Sequence, residues 1–252
     1  NRSDQEFYDK IATRFGGYKT PHIHQAVYPE GNPEEVFLKE LRALGGRDKI
    51  AADLGCADGR FTLHVAPDFE KIIAFDISSE MLRAAKKLKA EQKIGNVHFE
   101  LQDAGETGYP EKSFDVVYSR RGPTPYSEIW RLLMDCGHFV GIIIGEQDTK
   151  ALQDVFGRGQ GYKRWFESRK EAEMAALIEQ GFEILFLEDY LYVEYYPTYA
   201  DLEAFLSGVP IFKDFDPKKD RALLEQYAKS HTSDKGIMLE RHRIVVVARK
   251  KT

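Results

Sequence analysis

Ile50-Ala51-Ala52-Asp53-Leu54-Gly55-Cys56-Ala57-Asp58-Gly59-Arg60-Phe61 is the stretch from which the rest of this 252-residue chain is best read. A short apolar run ends in an acid and breaks into a turn of small residues. Gly55 and Gly59 allow the backbone to turn sharply and to come close to anything lying against it. An apolar pattern at helical spacing resumes over Arg60–Val65, so the stretch reads as strand, tight turn, helix.

The pattern repeats outward from there. Lys49–Leu54, Lys71–Phe75, Val97–Leu101, Phe114–Tyr118 and Phe139–Ile144 read as short apolar strands. Helices over Ser78–Lys93 (Met81, Leu82, Ala85 and Leu88 inward) and Pro125–Leu133 lie between them. Continuous apolar strands alternating with helices imply a parallel sheet covered on both faces. Before this core, a helix starts at Pro33-Glu34-Glu35 and stops at Gly45-Gly46. The first 33 residues show no strand pattern, only Phe7, Tyr8, Ile11, Phe15 and Tyr18 on a weak helical period. After the core, Ser168-x-x-Glu171 is a capping box for a helix ended by Gly181, and Phe182–Leu187 is a strand. Thr198-x-x-Asp201 opens a short helix, Asp216-Pro217 reads as the start of another, and His242–Ala248 closes the chain as a strand. The expected organisation is one domain: a lid over 1–33, a ligand-binding core over 34–190, a helical insertion over 191–240 and a last strand over 241–252.

With 42% hydrophobic residues the chain can bury a proper core, and its net charge of -5 gives no global basic field for nucleic acid. Cys56 and Cys136 form neither a metal-ligand pair nor a disulfide framework and read as small buried thiols. No apolar stretch approaches membrane-spanning length and no signal pattern opens the chain, so a cytoplasmic protein without a membrane partner, monomeric or homodimeric, is the expectation.

Three acids fall where successive strands end: Asp53, Asp76 and Asp103. Open α/β sheets bind ligands at the carboxyl ends of their strands. Asp76 could accept both hydroxyls of a ribose, Asp103 an adenine amino group, and Asp53 could serve an ammonium group directly or through water. The helix after Gly59 offers free N–H groups to a carboxylate. This set suits S-adenosylmethionine. The rival, a nicotinamide dinucleotide, needs Gly-x-Gly-x-x-Gly, and from Gly55 this chain offers Ala57 and Arg60 instead.

On these residues the chain resembles the class I S-adenosylmethionine-dependent methyltransferases. Their glycine motif appears as Asp53-Leu-Gly55-Cys56-Ala57-Asp-Gly59, with alanine at the middle glycine. Ala74-Phe75-Asp76-Ile77-Ser78, followed by Met81, matches the ribose motif, and Gln102-Asp103-Ala104 the adenine motif. Phe114–Ser119 matches the fourth strand, and Phe7-Tyr8-Asp9-x-x-Ala12 looks like the helical lid. The resemblance runs from about residue 5 to 190 and includes the final strand. It implies a seven-stranded, mainly parallel Rossmann-like sheet with helices on both faces and an antiparallel last strand. It also implies cofactor contacts at Asp53, Gly55, Cys56, Ala57, Gly59, Asp76, Ile77, Met81, Asp103, Ala104, Ser119 and Arg120, with S-adenosylhomocysteine as product.

The acceptor side is less determined. Arg121, alone or with Arg120, is a candidate for a carboxylate or phosphate on a small-molecule substrate, against one arginine holding the cofactor's own carboxylate or pairing with Glu146 or Asp148. Glu146 is either a base or positioning acid or a helix cap, and Tyr8 and Tyr18 are further candidate substrate contacts. No catalytic residue is assigned, because in-line transfer from a sulfonium relies chiefly on positioning. His22-x-His24 lacks a third ligand, so no metal is expected. The aromatic run Tyr190, Tyr192, Tyr195, Tyr196, Tyr199 reads as a substrate wall or as core under a cap, and Val209-Pro210-Ile211-Phe212 with Phe215 as apolar surface for a cleft. Gly157–Trp165 mixes glycines, basic and aromatic residues as backbone-binding loops do, against a plainer lid. A base in ribosomal or transfer RNA is the alternative acceptor, and a non-catalytic cofactor-binding regulator is a third reading.

Overall fold

Alternation along the central strands assigns their side chains to two faces. Ala51, Val116, Ile142 and Val245 pack with one group of helices, and their neighbours Ala52, Val117, Ile143 and Ile244 pack with another. The computed structural model describes residues 2–18, 20–163 and 168–251. Among them, one sheet contains β1 (Gln25–Val27), β2 (Gly46–Leu54), β3 (Phe69–Asp76), β4 (Val97–Leu101), β5 (Phe114–Arg120), β6 (Leu133–Ile144), β7 (Phe182–Tyr196), β8 (Thr232–Ser233) and β9 (Gly236–Lys250). Its order is β1-β7-β9-β6-β5-β2-β3-β4, with β8 paired to β9 off that path. Strands β4, β3, β2, β5 and β6 are parallel. β9 enters antiparallel to β6, and β7 is antiparallel to β9. The expected seven-stranded, mainly parallel sheet is therefore present as β7-β9-β6-β5-β2-β3-β4, with β1 and β8 as short additions.

The helices are α1 (Arg2–Phe15), α2 (Pro33–Ala43), α3 (Arg60–Val65), α4 (Ser79–Gln92), α5 (Tyr126–Leu132), α6 (Lys150–Phe156), α7 (Arg169–Glu179), α8 (Tyr199–Leu206) and α9 (Arg221–His231). Local chemistry sets many of their starts: Asn32, Ser78, Ser168 and Thr198 each accept a backbone N–H from the first turn. Helices α2, α3 and α4 cover one face through Phe37, Leu41, Leu63 and Leu82. Helices α5 and α7 cover the other through Ile129, Leu132 and Leu177. Helices α6, α8 and α9, with the 3-10 turn Pro210–Phe212, build a separate core from Leu152, Phe156, Leu202, Phe212, Leu224 and Tyr227 against the outer ends of β7 and β9.

Several elements differ from the expectation. β1 adds a strand to the N-terminal region, pairing with β7 from Gln25↔Tyr195 to Val27↔Val193. β7 does not stop at Leu187 but runs to Tyr196, and β9 starts at Gly236, so the aromatic run is mostly sheet. Asp216 does not cap a helix; its Oδ1 accepts from the N–H groups of Lys218 (2.8 Å) and Lys219 (3.2 Å) in a turn, and α9 starts at Arg221. Cys136 is exposed rather than buried, because it sits in a left-handed kink (φ 62°) near the start of β6. Arg158, from the basic loop, pairs with Asp220 at 2.9 Å and stands over Phe156 and Phe212, so it pins α6 to α9. Arg164 and Trp165 of that loop lie outside the described residues. No helix among the described residues is long and apolar enough to cross a membrane.

Candidate active site

The turn after β2 places Gly55 (φ 81°), Ala57 (φ 47°) and Gly59 (φ 71°) in the left-handed region within five residues. A Cβ on Gly55 would lie 2.9 Å from Pro123 Cδ, and one on Gly59 would lie 2.5 Å from Phe99 Cζ. Both positions therefore require glycine on steric grounds as well as conformational ones. The turn folds over the end of β3, where the N–H groups of Gly55 and Cys56 both donate to the Phe75 carbonyl, at 2.9 and 3.0 Å. Ala57 is the one residue of the three with a side chain, and the left-handed region costs it about 1 kcal/mol. Ala57→Gly is expected to raise unfolding free energy by up to about 1 kcal/mol in urea titration. A loss of stability would mean that the Ala57 methyl, packed with Ile11, Ala12 and Met81, contributes more than the strain costs.

Asp76 fixes this turn to the start of α4. Its Oδ2 accepts from the Ala57 N–H at 2.8 Å and its Oδ1 from the Ser78 N–H at 2.9 Å. Burial raises its pKa, and the backbone donors only partly offset that rise. Each carboxylate oxygen keeps a lone pair for a further donor. Asp103, at the end of β4, is exposed, with Oδ1 accepting from the Gly105 N–H at 2.8 Å. Asp53 differs from both. It is 3% exposed, Thr62 donates to its Oδ2 at 2.6 Å, and burial pushes its pKa to about 7. The buried Tyr118 hydroxyl adjoins Asp53, and burial together with that carboxylate pushes its pKa well above the ordinary range. Asp53 thus supports the turn from beneath. Cys56, Met81 and Ala104 are buried, Ile77 is half-buried, and burial pushes the Cys56 thiol well above its ordinary range.

The N-terminal arm closes over the same place. Asp9 Oδ1 accepts from the Ser78 hydroxyl at 2.6 Å and from the Glu80 N–H at 3.3 Å, tying α1 to α4. The Tyr18 N–H donates to Asp58 Oδ2 at 2.9 Å, tying the end of the arm to the glycine turn. Tyr8 and Tyr18 meet edge to face at 5.8 Å, and Tyr8 lies within the electrostatic reach of both Asp76 and Arg121. The lid and glycine motifs contain Asp9 and Asp58 without giving either a role, because their partners at Ser78, Glu80 and Tyr18 lie far off in sequence and are brought near only by folding.

At the end of β5, Ser119 is buried and donates to the Leu54 carbonyl at 3.3 Å. Arg120 and Arg121 share Glu34 of α2: Arg120 Nε donates to Oε2 at 2.7 Å, and Arg121 Nε lies 3.4 Å from Oε1. Burial would raise the Glu34 carboxyl, but Arg121 and Arg120 outweigh it and hold it below its ordinary range. Arg121 therefore pairs with neither Glu146 nor Asp148. Glu146 caps α7, its Oε2 accepting from the Arg169 N–H at 3.1 Å, and lies 3.6 Å from His242 Nδ1. His22 and His24 stack on each other at 5.2 Å and His24 on Tyr196 at 5.6 Å. Among the described residues no group of three His, Cys, Asp or Glu side chains is arranged to hold a metal ion.

The window from residue 51 to 137, which holds the glycine turn, Asp76 and Asp103, matches the family described as "Methyltransferase domain". This window is a methyltransferase domain, similar to those of the class I methyltransferases. It is 26% identical over 125 residues to the uncharacterized methyltransferase YcgJ of Bacillus subtilis (strain 168), a stretch covering 46% of this chain and 48% of YcgJ. It is 27% identical over 131 residues to phosphoethanolamine N-methyltransferase 1 of Arabidopsis thaliana, covering 48% of this chain and 25% of that protein. The chain thus spans about half, or less, of the curated relatives it matches. A functionally unknown protein from Deinococcus radiodurans R1 shares its fold, with a TM-score of 0.63 at 22% identity over 97% of this chain and 99% of the other.

Proposed function

We propose that this methyltransferase uses S-adenosylmethionine to methylate a small molecule. The observation that carries this reading is Asp76: a half-buried carboxylate, held at both oxygens by backbone N–H groups, at the end of the strand next to the glycine turn. The residues suit the cofactor. Asp76 would accept the ribose hydroxyls, Asp103 the adenine amino group, and the turn from Gly55 to Gly59 would present bare backbone. Asp53 would act through the turn, and Ile77, Met81 and Ala104 would supply apolar lining. Bound there, S-adenosylmethionine would supply an electrophilic methyl group on its sulfonium.

The chain's own contribution would be positioning. Tyr8, Tyr18 and Arg121 would face the acceptor under the α1 arm, which excludes water from the strand ends. Glu146, occupied at the start of α7, is not placed as a general base. A small acceptor fits better than RNA, because the chain is acidic overall and Arg158 is held within the fold. The plant relative is, by its name, an N-methyltransferase of a small phosphorylated amine.

Calorimetric titration with S-adenosylmethionine and S-adenosylhomocysteine tests the cofactor reading directly. Micromolar binding of both, followed by transfer of labelled methyl into a pool of small metabolites, is the expected result. Heat from neither ligand would overturn it, and tight binding with no transfer to any pool would favour a regulatory role.

A further inference from the structure

The sheet register gathers guanidinium groups at one end of one face. Arg120 pairs with Ile142, and Ile142 with Val245 across β6. Arg243 and Arg241 stand two and four residues before Val245, so strand alternation puts them on the same face. Arg121 comes next after Arg120. The aromatic walls are close: Arg120 lies over Phe61 (5.1 Å), Arg241 over Phe205 (5.3 Å) and Arg243 over Tyr192 (6.0 Å). Tyr18 stands among these cations. Burial raises its phenol, and Arg121, Arg241, Arg120 and Arg243 all act to lower it.

Three carboxylates are paired with these four cations. Glu34 is shared by Arg120 and Arg121. Asp148 takes Arg241 at 2.9 Å and Arg243 at 2.6 Å. Glu194 takes Arg241 at 2.6 Å and the Tyr196 hydroxyl at 2.8 Å. Arg243 is 1% exposed, and its Nε is buried without a hydrogen-bond partner. The buried Arg241 and Arg243 are matched by Asp148 and Glu194, so the excess positive charge lies at Arg120 and Arg121, each about one-third exposed and sharing the single carboxylate of Glu34, where an incoming anion would meet it. The planar guanidinium matches carboxylate and phosphate oxygens in pairs.

We propose that this arginine face, with the Tyr18 hydroxyl as a further donor, binds the carboxylate or phosphate of the methyl acceptor. That the anion belongs to an acceptor rests on the methyl-transfer reading; that the face binds an oxyanion does not. Arg121 lies within electrostatic reach of both Tyr8 and Tyr18, and Arg120 stands over Phe61 just after the glycine turn, where an acceptor would have to approach.

The test uses the full chain, saturated with S-adenosylhomocysteine and titrated calorimetrically with inorganic phosphate and, separately, with malonate. The wild type is expected to bind at least one of them, and the tighter of the two identifies the chemistry of the acceptor. Arg121→Gln, in a side chain one-third exposed, is expected to weaken that binding at least tenfold while circular dichroism shows the same fold. Glu34→Gln, which releases Arg120 and Arg121 from their shared carboxylate, is expected to strengthen it severalfold. The proposal is overturned if neither oxyanion binds, or if Arg121→Gln binds as the wild type does. It is also overturned if the oxyanion displaces S-adenosylhomocysteine, since the arginines would then serve the cofactor's own carboxylate. Should S-adenosylhomocysteine itself not bind, the methyl-transfer reading falls, and the same titration of the free chain still decides the oxyanion site.

Discussion

Asp76→Asn is expected to weaken S-adenosylhomocysteine binding about 100-fold, because charge-assisted hydrogen bonds contribute about 1.5–3 kcal/mol each and every 1.4 kcal/mol is tenfold. The carboxylate offers two equivalent oxygens to a ribose diol, whereas the amide offers one acceptor and an NH2 group that repels the nearby N–H donors. The substitution also acts on the fold. Ala57 and Ser78 each donate to a different oxygen of Asp76, so one backbone N–H loses its acceptor in the variant. That loss costs about 1–3 kcal/mol. The two effects separate by experiment: urea unfolding without ligand reports the turn, and calorimetry well below the unfolding transition reports the ligand. If affinity stays within threefold of wild type while stability drops, Asp76 is a turn residue only and the ribose contact lies elsewhere.

Much of this architecture was legible because it is local. The inner strands of the parallel core are buried on both faces and read as mostly apolar runs, whereas the edge strand β4 alternates, and the caps at Asn32, Ser78, Ser168 and Thr198 are written within three residues of the groups they satisfy. The glycine turn was legible for the same reason. What could not be read depends on distant partners. β1 has three residues at a sheet edge, too few to show a period. The outer half of β7 alternates Tyr190, Tyr192, Glu194 and Tyr196 toward one side, but Glu194 is buried only because Arg241, 47 residues on, meets it there. The Glu34–Arg120 pair spans 86 residues, and nothing around Glu34 beyond its place in the first turn of α2 distinguishes it from a helix-dipole acid. The same holds for the arginine face as a whole: Arg120 and Arg121 stood out after β5, whereas Arg241 and Arg243 lie in the strand that was read as closing the sheet.

Asp148→Asn is expected to destabilise the chain by about 3–5 kcal/mol, the usual consequence of removing one partner from a buried ion cluster. Asp148 is 6% exposed, and its Oδ1 takes Arg241 Nε (2.9 Å), the His242 N–H (3.1 Å) and an Arg243 guanidinium nitrogen (2.6 Å). An amide oxygen can still accept these bonds, but of the two carboxylate charges that balance the buried guanidinium groups only Glu194, on Arg241, remains. Against a typical total of about 5–15 kcal/mol the loss is severe. For a chain of this size it corresponds to a fall of about 10 °C in Tm. The pH dependence identifies the cause. Burial alone would raise the Asp148 pKa, but Arg241 and Arg243 outweigh it and hold the group at about 2, below the ordinary 3.8. A carboxyl depressed on folding stabilises fully above its unfolded pKa, and that stabilisation drains away as pH falls toward the folded value. With this depression it amounts to about 2 kcal/mol. Asparagine does not titrate, so the gap between wild type and variant should shrink as pH falls from about 4 to about 2, when the wild-type acid becomes neutral as well. Urea unfolding across that range measures the gap at each pH. A gap that stayed constant would mean that Asp148 contributes through shape and hydrogen bonding alone, and that the guanidinium charges on this face are balanced by some other group.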